Sequence, residues 1–117
     1  MSGFLYHAKS FRCITHIGND GLNHHEIEAV EGNWEGISYS TWKDIKKICE
    51  TFGVPQDVWP DYVGHDYAID IPIIEVMERQ KRLRNTLNSL SAEQIKSHPW
   101  LEKIAAWIRN EESVFFC

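Results

Sequence analysis

Between Trp42 and Phe52 the chain repeats its apolar residues at helical spacing. Trp42, Ile45, Ile48, Cys49 and Phe52 share one face, and Lys43, Lys46 and Lys47 lie outside it. Ser40 or Thr41 is placed to accept an amide hydrogen bond at the helix start, with Asp44 in the first turn. Gly53, Val54 and Pro55 form the stop, because glycine tolerates the left-handed position after a helix and proline cannot continue one. A helix over 40–53 divides the sequence into two regimes and constrains everything on either side of it.

Before it, the period is two. Phe11, Cys13, Thr15 and Ile17 alternate with mostly polar neighbours, as on a half-buried strand. Gly18-Asn19-Asp20-Gly21 supplies residues suited to a hairpin turn. Residues 22–30 read as the returning strand, with Ile27 and Ala29 on one face and His24, Glu26 and Glu28 on the other. A short helix capped by Asp20 and ended by Gly32 is the alternative. After the divide the period is 3.6. Asp70 is the expected cap of a helix with Pro72 in its first turn and Ile73, Val76, Met77, Leu83, Leu87 and Leu90 as its stripe. Ser91-Ala92-Glu93-Gln94 reads as a capping box. His98-Pro99 then opens a last helix, in which Leu101, Ile104, Ala105 and Ile108 share a face. The tail 113–117 is apolar enough to dock on the core or add an edge strand. The expected fold class is α+β: an N-terminal β-hairpin or small antiparallel sheet followed by four helices. One domain spans 1–117, with strands mainly in 1–36, helix 40–53, an acidic-aromatic loop 54–70, helices in 71–112 and the docked tail.

A chain of 117 residues is the size of one domain, and folding at this length buries roughly two-thirds of the unfolded surface, enough for a core without cross-links. Cys13, Cys49 and Cys117 are an odd number with no C-x-x-C spacing, which speaks against a disulfide framework and a zinc knuckle. No secretory leader and no apolar run approaching the roughly 18 residues of a membrane span occur, so a reducing cytoplasm is the expected address. The net charge of −5 is unevenly spread. Residues 13–75 carry twelve carboxylates against Lys43, Lys46 and Lys47, and no Lys or Arg occurs from Cys49 to Val76. Such a middle repels phosphate and attracts basic partners.

Three segments carry possible chemistry. In PQDVWPDYVGHDYAID, residues 55–70, Asp57, Asp61, Asp66 and Asp70 alternate with Trp59, Tyr62 and Tyr67. Rings among carboxylates suit a basic partner: the rings supply area at low entropic cost and the acids pair with Arg or Lys. Small nuclease inhibitors, and phage proteins that block nucleic-acid machinery, present carboxylates in this way where the target expects phosphates. The bland reading is a solvated loop whose rings cover the core and whose Asp residues cap turns.

The segment Gly36-Ile37-Ser38-Tyr39-Ser40-Thr41-Trp42-Lys43-Asp44-Ile45 resembles, over about ten residues, the turn and recognition helix of helix-turn-helix DNA binders. That resemblance implies Tyr39, Ser40, Lys43 and Lys47 facing DNA, with Trp42 and Ile45 in the core. Third, His24 and Glu26, with His16 and Asp20 nearby in sequence, are ligand types for Zn²⁺ or Fe²⁺ in a metal-dependent hydrolase. No H-E-x-x-H, Gly-x-Ser-x-Gly or Gly-rich phosphate loop accompanies them.

The charge and ring pattern favours the first reading. The expectation is a small cytoplasmic binding protein, not an enzyme and without cofactor or metal. It would occlude a basic, nucleic-acid-processing partner such as a nuclease, as an immunity protein or phage anti-defence inhibitor does. The contact residues would be Asp57, Trp59, Asp61, Tyr62, Asp66 and Tyr67. Neither membrane association nor direct nucleic-acid binding is expected, and a homo-oligomer is compatible with this reading. The helix-turn-helix regulator and the metal-dependent hydrolase are the alternatives.

Overall fold

Leu5 and Tyr6 are adjacent, both are buried, and they belong to different cores. Strand β1 (Ser2–Ala8) therefore has protein on both faces, as the middle strand of a three-stranded antiparallel sheet ordered β4-β1-β5, with β4 at Asn33–Ser38 and β5 at Ser113–Phe116. The computed structural model describes residues 2–64 and 68–117. In register, Tyr6 faces Trp34 on one side and Phe115 on the other. Alternation along the strands sends Leu5, Ile37, Val114 and Phe116 towards the helices, and Tyr6 and Phe115 the opposite way.

The helical layer comprises α1 (Tyr39–Thr51), α2 (Ile73–Asn88), the single-turn α3 (Ala92–Ile95) and α4 (Pro99–Arg109). Trp42, Ile45 and Cys49 of α1 join Leu101, Ile104 and Ile108 of α4 in the larger core. There Trp42 stacks on Phe116 with ring centroids 4.9 Å apart. The smaller core on the other face combines Tyr6 and Phe115 with Ile27, Val63, Ile69 and Val76. Part of its cover is the hairpin of β2 (Ser10–Ile17) and β3 (Asn23–Val30), a separate two-stranded sheet.

The α+β expectation holds, with five strands and four helices among the described residues. Residues 22–30 are strand, Gly53 takes φ +84° at the stop of α1, and Ser91 with Gln94 forms the capping box. The tail is edge strand β5. Three details differ. The cap of α1 is Ser38, whose Oγ accepts from the Thr41 amide at 3.1 Å, so the helix starts at Tyr39 and Asp44 lies beyond its first turn. Asp70 does not cap α2; the N-cap is Pro72, with no side-chain hydrogen bond. The loop 54–70 also holds some structure of its own: a 3₁₀ turn at Gln56–Val58 and a bridge between Val63 and Ile69.

The outer edge of β5 is closed. Gln80 of α2 donates from Nε2 to the Val114 carbonyl at 2.8 Å and accepts the Val114 amide at 3.2 Å, imitating a neighbouring strand. Pro60 accepts the Phe116 amide at 3.0 Å. An edge left with unpaired amides invites association with other chains, and these contacts prevent it.

Candidate functional site

The acidic-aromatic loop is where the structure departs most from expectation. Trp59 is 1% exposed and packs edge-on against Trp42 at 5.6 Å, so it is a core residue and not an anchor for a partner. Asp57 is gripped by Arg82, both carboxylate oxygens accepting guanidinium hydrogen bonds at 3.0 Å. Those bonds hold the Asp57 carboxyl below its usual range, although desolvation opposes them. Asp61 accepts from Lys46 at 2.8 Å. Tyr62 receives the Gln80 amide on its hydroxyl at 3.0 Å, lies under Arg79, and is pushed by burial up to about 12. Asp66 and Tyr67 lie outside the described residues. The described part of the loop thus seals the core, and its cations arrive from α1 and α2, far along the chain. Arg82 of α2 thus answers the protein's own acidic segment from within.

The helix-turn-helix geometry is not formed. Gly36, Ile37 and Ser38 complete strand β4, so the element before α1 is a strand that pairs with β1, and among the described residues no helix precedes α1. Lys43 and Lys47 do face solvent, but Asp44 and Glu50 share that surface, and the charges are mixed.

The hairpin β2–β3 keeps its polar groups outside. His16 and His24 are register partners with rings 5.8 Å apart. His24 Nε2 meets the Asp20 carboxylate at 2.9 Å, and this hydrogen bond, with the Leu22 amide, lowers the Asp20 carboxyl. Glu26 lies 3.8 Å from His16 Nε2, and Glu28 accepts from Arg12 at 2.7 Å. Among the described residues, no group of three or more His, Cys, Asp or Glu side chains is arranged to hold a metal ion. His16 does approach His24 across the hairpin, but among the described residues the fuller ligand set of the hydrolase alternative is not assembled.

Beyond Cys13 this hairpin is an arm. Ile14 to Ile17 and Gly21 to Asn23 are exposed on both faces, Ile17 at 74% and Leu22 at 63%, and the molecule measures 49 × 28 × 26 Å. From Ser10 to Ser38 five carboxylates (Asp20, Glu26, Glu28, Glu31 and Glu35) stand against Arg12 alone. Beside the arm on the sheet, Trp34 is 46% exposed and Phe4 meets it edge-on at 6.5 Å. An acidic surface with exposed rings therefore exists, on a different segment from the one its composition marked out.

Comparison with family models, curated proteins and solved structures finds no match for this chain.

One built polar cluster went unnoticed in the sequence. His7, buried in β1, stacks flat on Trp107 of α4 at 3.8 Å, and its Nδ1 is 2.8 Å from Glu112. Burial would raise the Glu112 carboxyl, but its hydrogen bonds with His7 and Asn110 outweigh that and hold it below its usual range. The cluster ties β1 to the end of α4 across the chain's two termini. Nothing local marks it, because its members are about a hundred residues apart. Among the described residues, no helix is long and apolar enough to cross a membrane.

Proposed function

We propose that the protein is a binding module without chemistry of its own, and that it occupies a basic surface of a nucleic-acid-processing protein through the β2–β3 arm. One observation carries this reading. The arm projects carboxylates and the exposed aliphatic residues Ile14, Ile17 and Leu22 together, while Asp57 and Asp61 of the loop are held by Arg82 and Lys46. Carboxylates steer a basic partner and fix register, and the apolar residues supply area that is buried on contact. Immunity against a nuclease toxin and inhibition of a defence nuclease are the roles this chemistry fits. A reducing, cytoplasmic setting suits three unpaired cysteines, of which Cys49 is buried with its thiol pushed up to about 11.

The test is capture from host lysate at low and high salt, with wild-type protein against two charge-reversed forms. Asp20→Lys with Glu26→Lys alters the arm, and Asp61→Lys alters the loop. Retention of one basic protein by wild type and by the loop form, weakened by salt and lost with the arm form, is expected. Equal retention by the arm form would refute the assignment, and recovery of nucleic acid in place of protein would replace it.

A further inference from the structure

Where the arm leaves the body, a cleft of about 220 Å³ opens between hairpin and sheet, lined by Tyr6, Ile14, Glu26, Glu28, Gly32 and Trp34. We infer that this cleft takes a single arginine side chain of the partner, a step that rests on the binding reading above. Size is the first argument. Sites for whole small molecules occupy roughly 300–1,000 Å³, so this space suits one long side chain better than a metabolite.

The lining is the second. Tyr6 and Trp34 lie 4.5 Å apart with their rings inclined at 32°, and Ile14 faces the same space. Aromatic and aliphatic walls accept the methylene stem and the flat face of a guanidinium, which is more weakly hydrated than an ammonium and stacks on indole.

Charge is the third. Two carboxylates line the cleft. Glu28 is already held by Arg12 at 2.7 Å, whereas among the described residues Glu26 has only the longer 3.8 Å contact with the His16 ring. The Arg12–Glu28 pair shows that this face of the hairpin accommodates a guanidinium on a carboxylate, and Glu26 offers a second such position. A planar fork bonding Glu26 while lying against Trp34 satisfies both, as a lysine point charge does not.

The test uses acetyl-Gly-Arg-Gly-amide as probe, titrated into the full chain and followed by amide and indole NMR shifts. Saturable shifts confined to Ile14, Glu26, Gly32 and the Trp34 indole are expected. The lysine peptide should bind several-fold more weakly and the citrulline peptide should give no saturable shift. Glu26→Gln and Trp34→Leu should each weaken the arginine peptide by about tenfold, and Glu31→Gln, outside the cleft lining, should leave it unchanged. Equal binding of citrulline, or no saturable shift with a folded spectrum, overturns the inference. Its failure is separable from that of the arm assignment. Lysate capture that is lost with Asp20→Lys but intact in Trp34→Leu leaves the arm as the interface and removes the cleft from it.

Discussion

The loop 55–64 and the arm 10–30 have similar compositions and opposite fates. Each sets carboxylates among large apolar side chains with little basic charge in its own sequence. The loop lies between α1 and α2, so Lys46 and Arg82 reach its acids and its Trp59 sinks into the core. Beyond its root the arm bonds to the loop's Ile69 through the His25 carbonyl, and among the described residues its acids pair only with Arg12 and the histidines of the same hairpin. Charge availability is thus a tertiary property. A carboxylate counts as a recognition group only after cations from every packed element have been assigned, and those cations come from any distance along the chain.

The contrast is most easily broken at its tryptophans. Trp59→Ala should destabilise the fold by about 3–5 kcal/mol, the usual cost of emptying a large core site, measured by urea denaturation. Trp34→Ala, at a half-exposed site, should cost less, about 0.5–1.5 kcal/mol for each ring pair it removes, those with Phe4 and Tyr6 among them. Comparable losses would mean that the arm side is as structural as the loop. Next in size is Gln80→Ala. It strips the amide and carbonyl of Val114 and the part-buried Tyr62 hydroxyl of partners, and should cost about 1–3 kcal/mol in all. Hydrogen exchange at Val114 should accelerate, and concentration-dependent association through the opened β5 edge should follow. An unchanged exchange rate would show that the edge is closed by something else.

Titration of Tyr62 tests the loop's burial directly. Its raised pKa means that the folded chain keeps the phenolic proton while the unfolded chain, near 10, has begun to lose it. Stability linked to Tyr62 is therefore complete below pH about 10 and falls as pH rises towards about 12. The phenolate absorbance difference between the wild-type chain and Tyr62→Phe should show Tyr62 ionising late. A difference transition near 10 would place Tyr62 in water.

How much of this was legible follows from how local each signal is. Helix α1 was readable because its stripe, its Gly53 stop and its length sit within fifteen residues. The capping box at Ser91 and the hairpin turn at 18–21 were readable for the same reason. The central position of β1 was not, since its pairing with β5 joins Tyr6 to Phe115 and no spacing encodes that register. The Gly36–Ile45 likeness to a DNA-binding turn failed because Gly36 to Ser38 are also good strand-end residues, and the sheet claimed them. For Asp57 and Asp61 the reading of free charge failed at one step. Absence of nearby cations in sequence was read as absence in space, and Lys46 and Arg82 lie 15 and 25 residues from their acids. His7 with Glu112 is the same failure in reverse, a structural pair invisible at a separation of 105 residues.

The finest version of the comparison sets Asp57 against Asp20. Both carboxyls lie below their usual range, Asp57 through Arg82 of another element and Asp20 through His24 and Leu22 of its own hairpin. In each case the linked stability is present above the unfolded carboxylate pKa and fades as pH falls through the lower folded value. Both groups are fully exposed, so the effect on melting temperature should be near the resolution of a thermal scan and should shrink with salt. The carboxyl carbon shifts resolve what the scan cannot. In Arg82→Gln, Asp57 should return to the ordinary range while Asp20 stays where it was. His24→Gln should do the converse. If Arg82→Gln moved both carboxyls together, loop and arm would share one electrostatic environment, and the arm would lose its claim to be a surface separate from the loop.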